Sequence, residues 1–267
     1  WPLTMMPFVE PRSSIVISRA SGGPETTTRA CSREMPGSLM RMSASTPRPR
    51  ANPELLRQII AQGKGATAAQ IRHASPVPIP DDPWEQQQLV LGSLYGPDEK
   101  LFIGERHGAK VQPVRDWLGR HEPGRLLGPH IIPNVLSGAE GDTKDGRRSR
   151  RADSCVAAFR FAVIEFDNLP REEQLAFWAA VRLPVAVLVD SGNKSVHGWV
   201  MVDAADRESW ERDVEQGLFG TRLMPLGVDA SCRNESRLSR MPGFIRPDTN
   251  RGQHLLYLAP EGKAVSI

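Results

Sequence analysis

The stretch FAVIEFDN at residues 161–168 constrains this chain more than any other. It is an apolar run, with Ala162, Val163 and Ile164, that ends in two carboxylates, Glu165 and Asp167. Side chains alternate across a strand, so positions i and i+2 share a face. Phe166 then points away from the two acids. Two carboxylates side by side at the end of a buried strand are costly unless something compensates their charge. A divalent cation does so, and hard oxygen ligands suit magnesium or manganese. The competing reading is a strand end that turns polar on reaching solvent.

Two further segments bear on that choice. Asp190-Ser-Gly-Asn-Lys-Ser-Val-His197 follows a second apolar strand and opens a third. Asp229 closes a short apolar run and precedes Arg233, Arg237 and Arg240. Acids that take a metal, together with cations and turn amides that take phosphates, make a nucleoside-triphosphate site. In that reading Glu165, Asp167 and Asp229 are catalytic metal ligands. Lys194, Ser195, His197, Arg237 and Arg240 bind the nucleotide. The plainer alternatives are a satisfied histidine, and arginines that solvate a surface or pair with Asp229 and Glu235.

These residues resemble a known family. EFD resembles the first motif of the archaeo-eukaryotic primase superfamily, two acids one residue apart, with Glu165 where Asp is commoner. Ser195-Val196-His197 resembles its Ser-x-His motif, and Val228-Asp229 its hydrophobic-acid motif. SGNKSVHGWV and RNESRLSRMPG are similar to primase-polymerase domains of phages, plasmids and mobile elements. The resemblance spans roughly residues 84–258. It implies a nucleotidyltransferase that acts in DNA replication with Mg2+ or Mn2+. It further implies a single-stranded DNA template, NTP or dNTP substrates, and a replicative helicase as candidate partner.

Charge is unevenly placed. Residues 1–50 hold seven arginines and three glutamates, a surplus of four, so the remainder carries −1 of the net +3. Nucleic-acid contact must then use local patches. Residues 144–151, KDGRRSRR, are one: Arg147, Arg148, Arg150 and Arg151 either hold template phosphates or solvate a loop. Residues 1–50, rich in Pro, Gly, Ser, Thr and Arg, read as a disordered tail, with Met40 or Met42 as alternative starts. No apolar run is long enough to cross a bilayer. Three separated cysteines, without a Cys-x-x-Cys pair, suggest a reduced, cytoplasmic setting and no membrane partner.

The rest of the chain reads as an α+β protein. Asn52-Pro53 opens a helix whose apolar face is Leu55, Leu56, Ile59 and Ile60, ended by Gly63 and Gly65. Asp82-Pro83 opens a second. Short strands are expected at 101–104 and 130–134, with a helical piece at 114–118. Asn134 is either a turn residue or a nucleotide contact. From residue 161 the pattern is strand 161–167, a helix to about Val181, strands 184–190 and 196–203, a helix from Asp206 stopped by Gly217, and strand 254–258. That order, β-α-β-β-α-β, is the split βαβ arrangement of RRM-like and ferredoxin-like domains. The expected organisation is tail 1–50, N-terminal αβ module with basic loop 51–152, and RRM-like catalytic domain 153–267. Asp229 and the arginines fall in a long insertion before the last strand.

Two other function classes compete with the polymerase. An RRM-like replication-initiation domain would bind DNA without synthesis. Trp199 is then the one sheet aromatic placed to stack on bases. A metal-dependent nuclease or rolling-circle initiator usually has a His-x-His pair and a nucleophilic tyrosine. This chain has no such pair, and its tyrosines are Tyr95 and Tyr257.

Overall fold

Strand β7 (Val156–Ile164), with β8 (Val185–Asp190) and β9 (Val196–Ala204), forms the centre of a mixed α+β fold. The computed structural model describes residues 50–119 and 125–267. The tail expected at 1–50 lies almost wholly outside them. β9 sits between β7 and β8 and is antiparallel to both, with Ile164 opposite Gly198 and Val189 opposite His197. Helix α5 (Arg171–Ala180) joins β7 to β8, so the split βαβ connection read from the sequence is present.

Alternation along these strands divides the core. Even-numbered Ala162, Ile164, Val196 and Val200 pack with Leu175, Phe177 and Trp178 of α5. Helix α1 (Pro53–Gln62) joins this face through Leu56, Ile59 and Ile60. Odd-numbered Phe161, Val163 and Trp199 pack with Val90 and Leu91 of α3 (Pro83–Leu94) and with Trp117 of α4 (Val114–Leu118). Both faces of the sheet are therefore covered. Trp199 is fully buried, and its indole N–H donates to Ser239 Oγ at 2.7 Å, so it offers no stacking platform.

The sheet continues past residue 152 without a break. In the N-terminal half, β1 (Lys100–Gly104) pairs with β2 (Val111–Pro113), β3 (His130–Ile131) and β4 (Val135–Leu136). β4 also pairs with β7, which closes a nine-stranded sheet. β5 (Gly141–Asp142) and β6 (Arg148–Ser149) form a separate hairpin from the basic loop. Because β4 occupies the free edge of β7, the last strand cannot lie there. That strand, β13 (Leu255–Lys263), is longer than expected and pairs with β8 at the other edge. In the ferredoxin-like arrangement the fourth strand flanks the first; here it flanks the second.

Three local expectations change. The short α2 (Ala68–His73) was not anticipated, although its capping box, Thr67 with Gln70, is written in the sequence. The strand expected at 130–134 covers only its first two residues. The helix from Asp206 does not stop at Gly217. After α6 (Arg207–Ser209) it continues as a π-wound helix, Trp210–Leu223. Its buried residues Trp210, Val214, Phe219 and Leu223 are spaced four and five apart, as wider winding requires. Gly217 and Gly220 therefore sit inside the helix.

Gly198 fixes how close α5 can come. A Cβ at this position would lie 2.1 Å from the Trp178 ring. Gly198→Ala should therefore cost about 1–3 kcal/mol by overpacking. Urea unfolding measures this; a midpoint equal to the parent's would show that the indole moves aside freely.

Candidate active site

Odd-numbered Glu165 and His197 share the sheet face that the N-terminal half covers. They meet at the strand ends, where that cover leaves a cleft of about 200 Å3 lined by Arg106, His130, Glu165, His197, Arg237, Ser239 and Arg240. Glu165 follows directly after β7 and is buried. Its Oε2 lies 3.0 Å from His197 Nε2, and its Oε1 takes a close ion pair from Arg237. The same guanidinium reaches Asp229 Oδ2 at 3.2 Å. Arg237 thus bridges two of the three acids.

Each side chain is held from behind. Asp229 caps the short 3-10 turn Ala230–Arg233: its Oδ1 accepts from Ser231 N at 2.9 Å, and its own N–H donates to Glu165 O at 3.1 Å. The turn before His197 is pinned by Gln174 of α5. Its Oε1 accepts from Val196 N at 2.8 Å and its Nε2 donates to Lys194 O at 3.2 Å. Ser191 Oγ accepts from Ser195 N at 3.1 Å. Asp190 is held by Arg171 and accepts from Gly192 N at 3.0 Å. Sequence reading missed Gln174, although a glutamine within an apolar helix face is its signal.

The electrostatics follow from this packing. Burial pushes His197 down to about 4, assisted by Arg240 and Arg237 and opposed by Glu165, so the ring is neutral. An indole N–H is only a donor, so Ser239 Oγ accepts from Trp199 and turns its own proton toward His197 Nδ1, 3.5 Å away. The His197 proton then belongs on Nε2, facing Glu165, an assignment made from the network. Burial works against the Glu165 carboxylate, but His197 and Arg237 outweigh it and hold its pKa below the usual range. At Asp229 burial is likewise outweighed, by Ser231 and Arg237. Asp167 goes the other way. Partial desolvation and then the charges of Asp229 and Glu165 raise its pKa.

The sequence-predicted residues sort accordingly. Glu165, Asp229, His197, Ser195, Arg237 and Arg240 come together. Ser195 Oγ lies 3.1 Å from His197 Nε2. Asp167 is exposed at the rim, within electrostatic reach of the other two acids. Lys194 is exposed, and its carbonyl accepts from Gln174 Nε2. The unforeseen neighbour is Cys232. Its Sγ lies 3.6 Å from Glu165 Oε1, and Glu165, Asp229 and Cys232 present ligand atoms within 4.8 Å of one another. Burial raises the thiol's pKa, which keeps it protonated. Asn134 is a structural clasp. It accepts from Arg160 N and Phe161 N, both at 2.8 Å, and donates to Phe161 O and Glu235 O.

The basic loop is partly neutralised. Arg147 pairs with Asp145 at 3.0 Å, Arg148 with Asp142 at 3.5 Å, and Arg150 with Glu140 at 3.9 Å. Arg151 lies 4.0 Å over the Phe102 ring and donates to Arg106 O, so it anchors this loop to the strand that carries Phe102.

The AEP domain of a primase-polymerase from cyanophage S-2L is similar to this chain, with a TM-score of 0.42 and 19% identity over 66% of this chain and 91% of that one. No family model and no curated protein matches.

Both site histidines carry a pH signature. Burial pushes His130 down to about 4 as well, with Arg240 adding to the effect. An unfolded histidine titrates near 6.5. Between those values the unfolded chain binds more protons, so stability is fully present above about pH 6.5 and falls as pH drops toward 4. His197→Gln and His130→Gln should each flatten that fall in urea midpoints measured from pH 7 to pH 4. An identical slope in both variants would contradict the buried, neutral rings.

Proposed function

We propose that this chain is a nucleotidyltransferase of the primase or primase-polymerase type, extending a nucleic-acid strand on a single-stranded DNA template. The observation that supports this reading is the convergence in one cleft of Glu165, His197, Arg237 and Arg240, with Asp229 bridged to Glu165 through Arg237 and Asp167 exposed within their electrostatic reach. Three carboxylates within one another's field is the arrangement that a divalent cation relieves. Arg237 already stands between two of them as a cation would. The oxygen donors fit magnesium or manganese, whereas a protonated Cys232 is a poor ligand for either.

Glu165, Asp167 and Asp229 would hold the metal, which would lower the pKa of an attacking 3′-hydroxyl and neutralise charge on the transferring phosphoryl group. The protein's own groups do the positioning. Neutral His197, its proton fixed on Nε2, orients Glu165. Ser195 offers a hydroxyl beside it. Arg237 and Arg240 grip phosphate oxygens by fork geometry. Arg147, Arg148 and Arg150 would line the template's path. In this reading residues 153–267 carry the catalytic split βαβ core, and the smaller αβ module of 51–152 extends its sheet and covers one face. NTP or dNTP is the substrate and a replicative helicase the candidate partner.

One observation favours a second reading, a DNA-binding domain without synthesis: the Arg237 guanidinium itself pairs with both Glu165 and Asp229. Two measurements separate the readings. Arg237→Ala removes the bridge from a largely buried cluster, and should cost about 1–3 kcal/mol after discounting for its partial exposure. Manganese should then raise the variant's melting temperature more than the parent's. Equal shifts would place manganese elsewhere. Labelled nucleotide incorporation on a single-stranded circle should require magnesium or manganese and fall about a hundredfold or more in Asp167→Asn and Asp229→Asn. Metal-dependent synthesis that persists in Asp167→Asn refutes this ligand set; none in the parent favours the binding domain.

A further inference from the structure

A second cavity, of about 730 Å3, lies in the N-terminal half. That volume falls within the roughly 300–1,000 Å3 range of small-molecule sites. Four segments wall it: β1 through Phe102 and Gly104, α4 through Trp117, a loop through Leu127, and Phe244. Phe244 stands between β10 (Ser239–Arg240) and β11 (Ile245–Arg246). Each wall is fixed from behind. The Trp117 indole N–H donates to Leu101 O at 3.1 Å. Buried Gln87 of α3 clasps the Leu127 backbone: its Oε1 accepts from Leu127 N at 2.9 Å and its Nε2 donates to Leu127 O at 3.4 Å. Phe244 O accepts from Gln253 N at 2.7 Å. A Cβ on Gly128 would lie 2.4 Å from Gly104 Cα, so this loop lies flat on β1. The cavity is built before a ligand arrives, and filling it costs little ordering.

Its lining is aromatic and aliphatic, with a charged rim. Phe244 is half-buried, and among the described residues neither it nor Trp117 pairs with another aromatic ring. The charged lining residues are Lys110, Arg125 and Glu105, all exposed, a surplus of one cation. Lys110 has no carboxylate partner among the described residues; its Nζ stands 5.5 Å from the centre of the Trp117 ring. A ring wall beside a cation matches one nucleotide of an unpaired strand, whose base stacks and whose phosphate pairs with the lysine. Position supports the same occupant. Gly104 lines this cavity, while His130, its partner across β1 and β3, lines the candidate active-site cleft, so the two share a wall. An incoming nucleotide is selected by pairing with a template base. A protein pocket for a lone base therefore suits a template base that has not yet paired.

We infer that this cavity takes one unpaired base of a single-stranded DNA, packed against Phe244 and Trp117, with Lys110 on an adjoining phosphate. The site is separate from the basic loop and from the phosphate contacts of Arg237 and Arg240. Every base has a face to stack, so the pocket is tolerant of sequence. That the strand is a template rests on the proposed function. The base pocket itself serves a domain that binds DNA without synthesis equally well.

The probe is a short single-stranded DNA oligonucleotide that carries 5-iodouracil and a fluorescent end label, used in chelator so that no metal contributes. Irradiation should join it to the peptide bearing Phe244 or Trp117, read by mass spectrometry of the digest. In anisotropy titrations Phe244→Ala should weaken binding about fivefold or more, the low end of what one stacked base contributes. An oligonucleotide of the same length without bases should bind the parent more weakly and be indifferent to Phe244→Ala. Lys110→Glu, on an exposed side chain, should weaken binding and flatten the slope of log K against log salt. It keeps the test informative if Phe244→Ala unfolds. Arg182→Ala, on an exposed side chain before β8 at the end away from Asp190, is the control. No oligonucleotide binding by the parent, crosslinks confined to other peptides, or affinity unchanged in both variants overturns the inference. Crosslinking at Phe244 in a protein that incorporates no nucleotide sustains the base pocket and removes the polymerase. Incorporation with crosslinks elsewhere does the reverse.

Discussion

The bridge from Arg237 to Glu165 and Asp229 is the contact on which the site depends. Glu165 is buried at a strand end, where an uncompensated carboxylate would cost several kcal/mol. A guanidinium is the one side chain that can serve two carboxylates at once and stay charged while partly buried. Its presence keeps both acids ionised. It also spreads one positive charge over two ligands and leaves Asp167 outside, with a raised pKa. The cluster therefore holds more negative charge than Arg237 cancels. In the proposed mechanism a cation bound there would share Glu165 and Asp229 with the guanidinium, and Arg237 would be the group left to meet phosphates. Metal and nucleotide binding are coupled through that one side chain in the proposed mechanism.

Coverage of both sheet faces decides where any ligand can sit. An open sheet with an exposed aromatic binds bases across its surface. Here Trp199 is sealed under the N-terminal half, and its indole N–H supports the hydrogen bonds that set the His197 tautomer. The residue that looked like a stacking platform is instead part of the scaffold beneath the site. The candidate site lies at the strand ends, where backbone groups run out of ladder partners and turns replace them. The Gln174 amide repairs that loss behind the 191–195 turn, and the Asp229 N–H repairs it beside Glu165.

Legibility followed the range of the interactions. The α+β class, α1, α3 and α4, the central strands and the 191–195 turn could be read because apolar alternation, caps and turn residues are local signals. The convergence of Glu165, His197, Asp229, Arg237 and Arg240 was legible only because their motifs resemble those of a known family; spacing alone does not bring positions 165 and 237 together. What escaped is what distant contacts decide. The edge taken by β13 depends on β4 reaching β7 first. Cys232 enters the acid cluster because the 3-10 turn folds it back on Glu165. The π winding past Gly217 follows from burying residues four and five apart, a period close enough to 3.6 to be mistaken for it. The charge of Arg151 is local information, while its partner, the ring of Phe102, lies far back in sequence.

The same distant contacts bear on whether the halves on either side of residue 152 can act separately. The segment carrying Asp229, Arg237 and Arg240 is tied at one end to β7, through Asp229 N and Glu165 O. It is tied at the other to the N-terminal half, through the β10–β3 pairing and through Asn134, which donates to Glu235 O while accepting from Arg160 and Phe161. Asn134 is fully satisfied and buried, so losing either partner segment would strand several hydrogen-bonding groups at about 1–3 kcal/mol each. Neither half alone holds the arginines over the acids. The sequence boundary near residue 152 marks a change of pattern, and the cleft is a property of the seam across it.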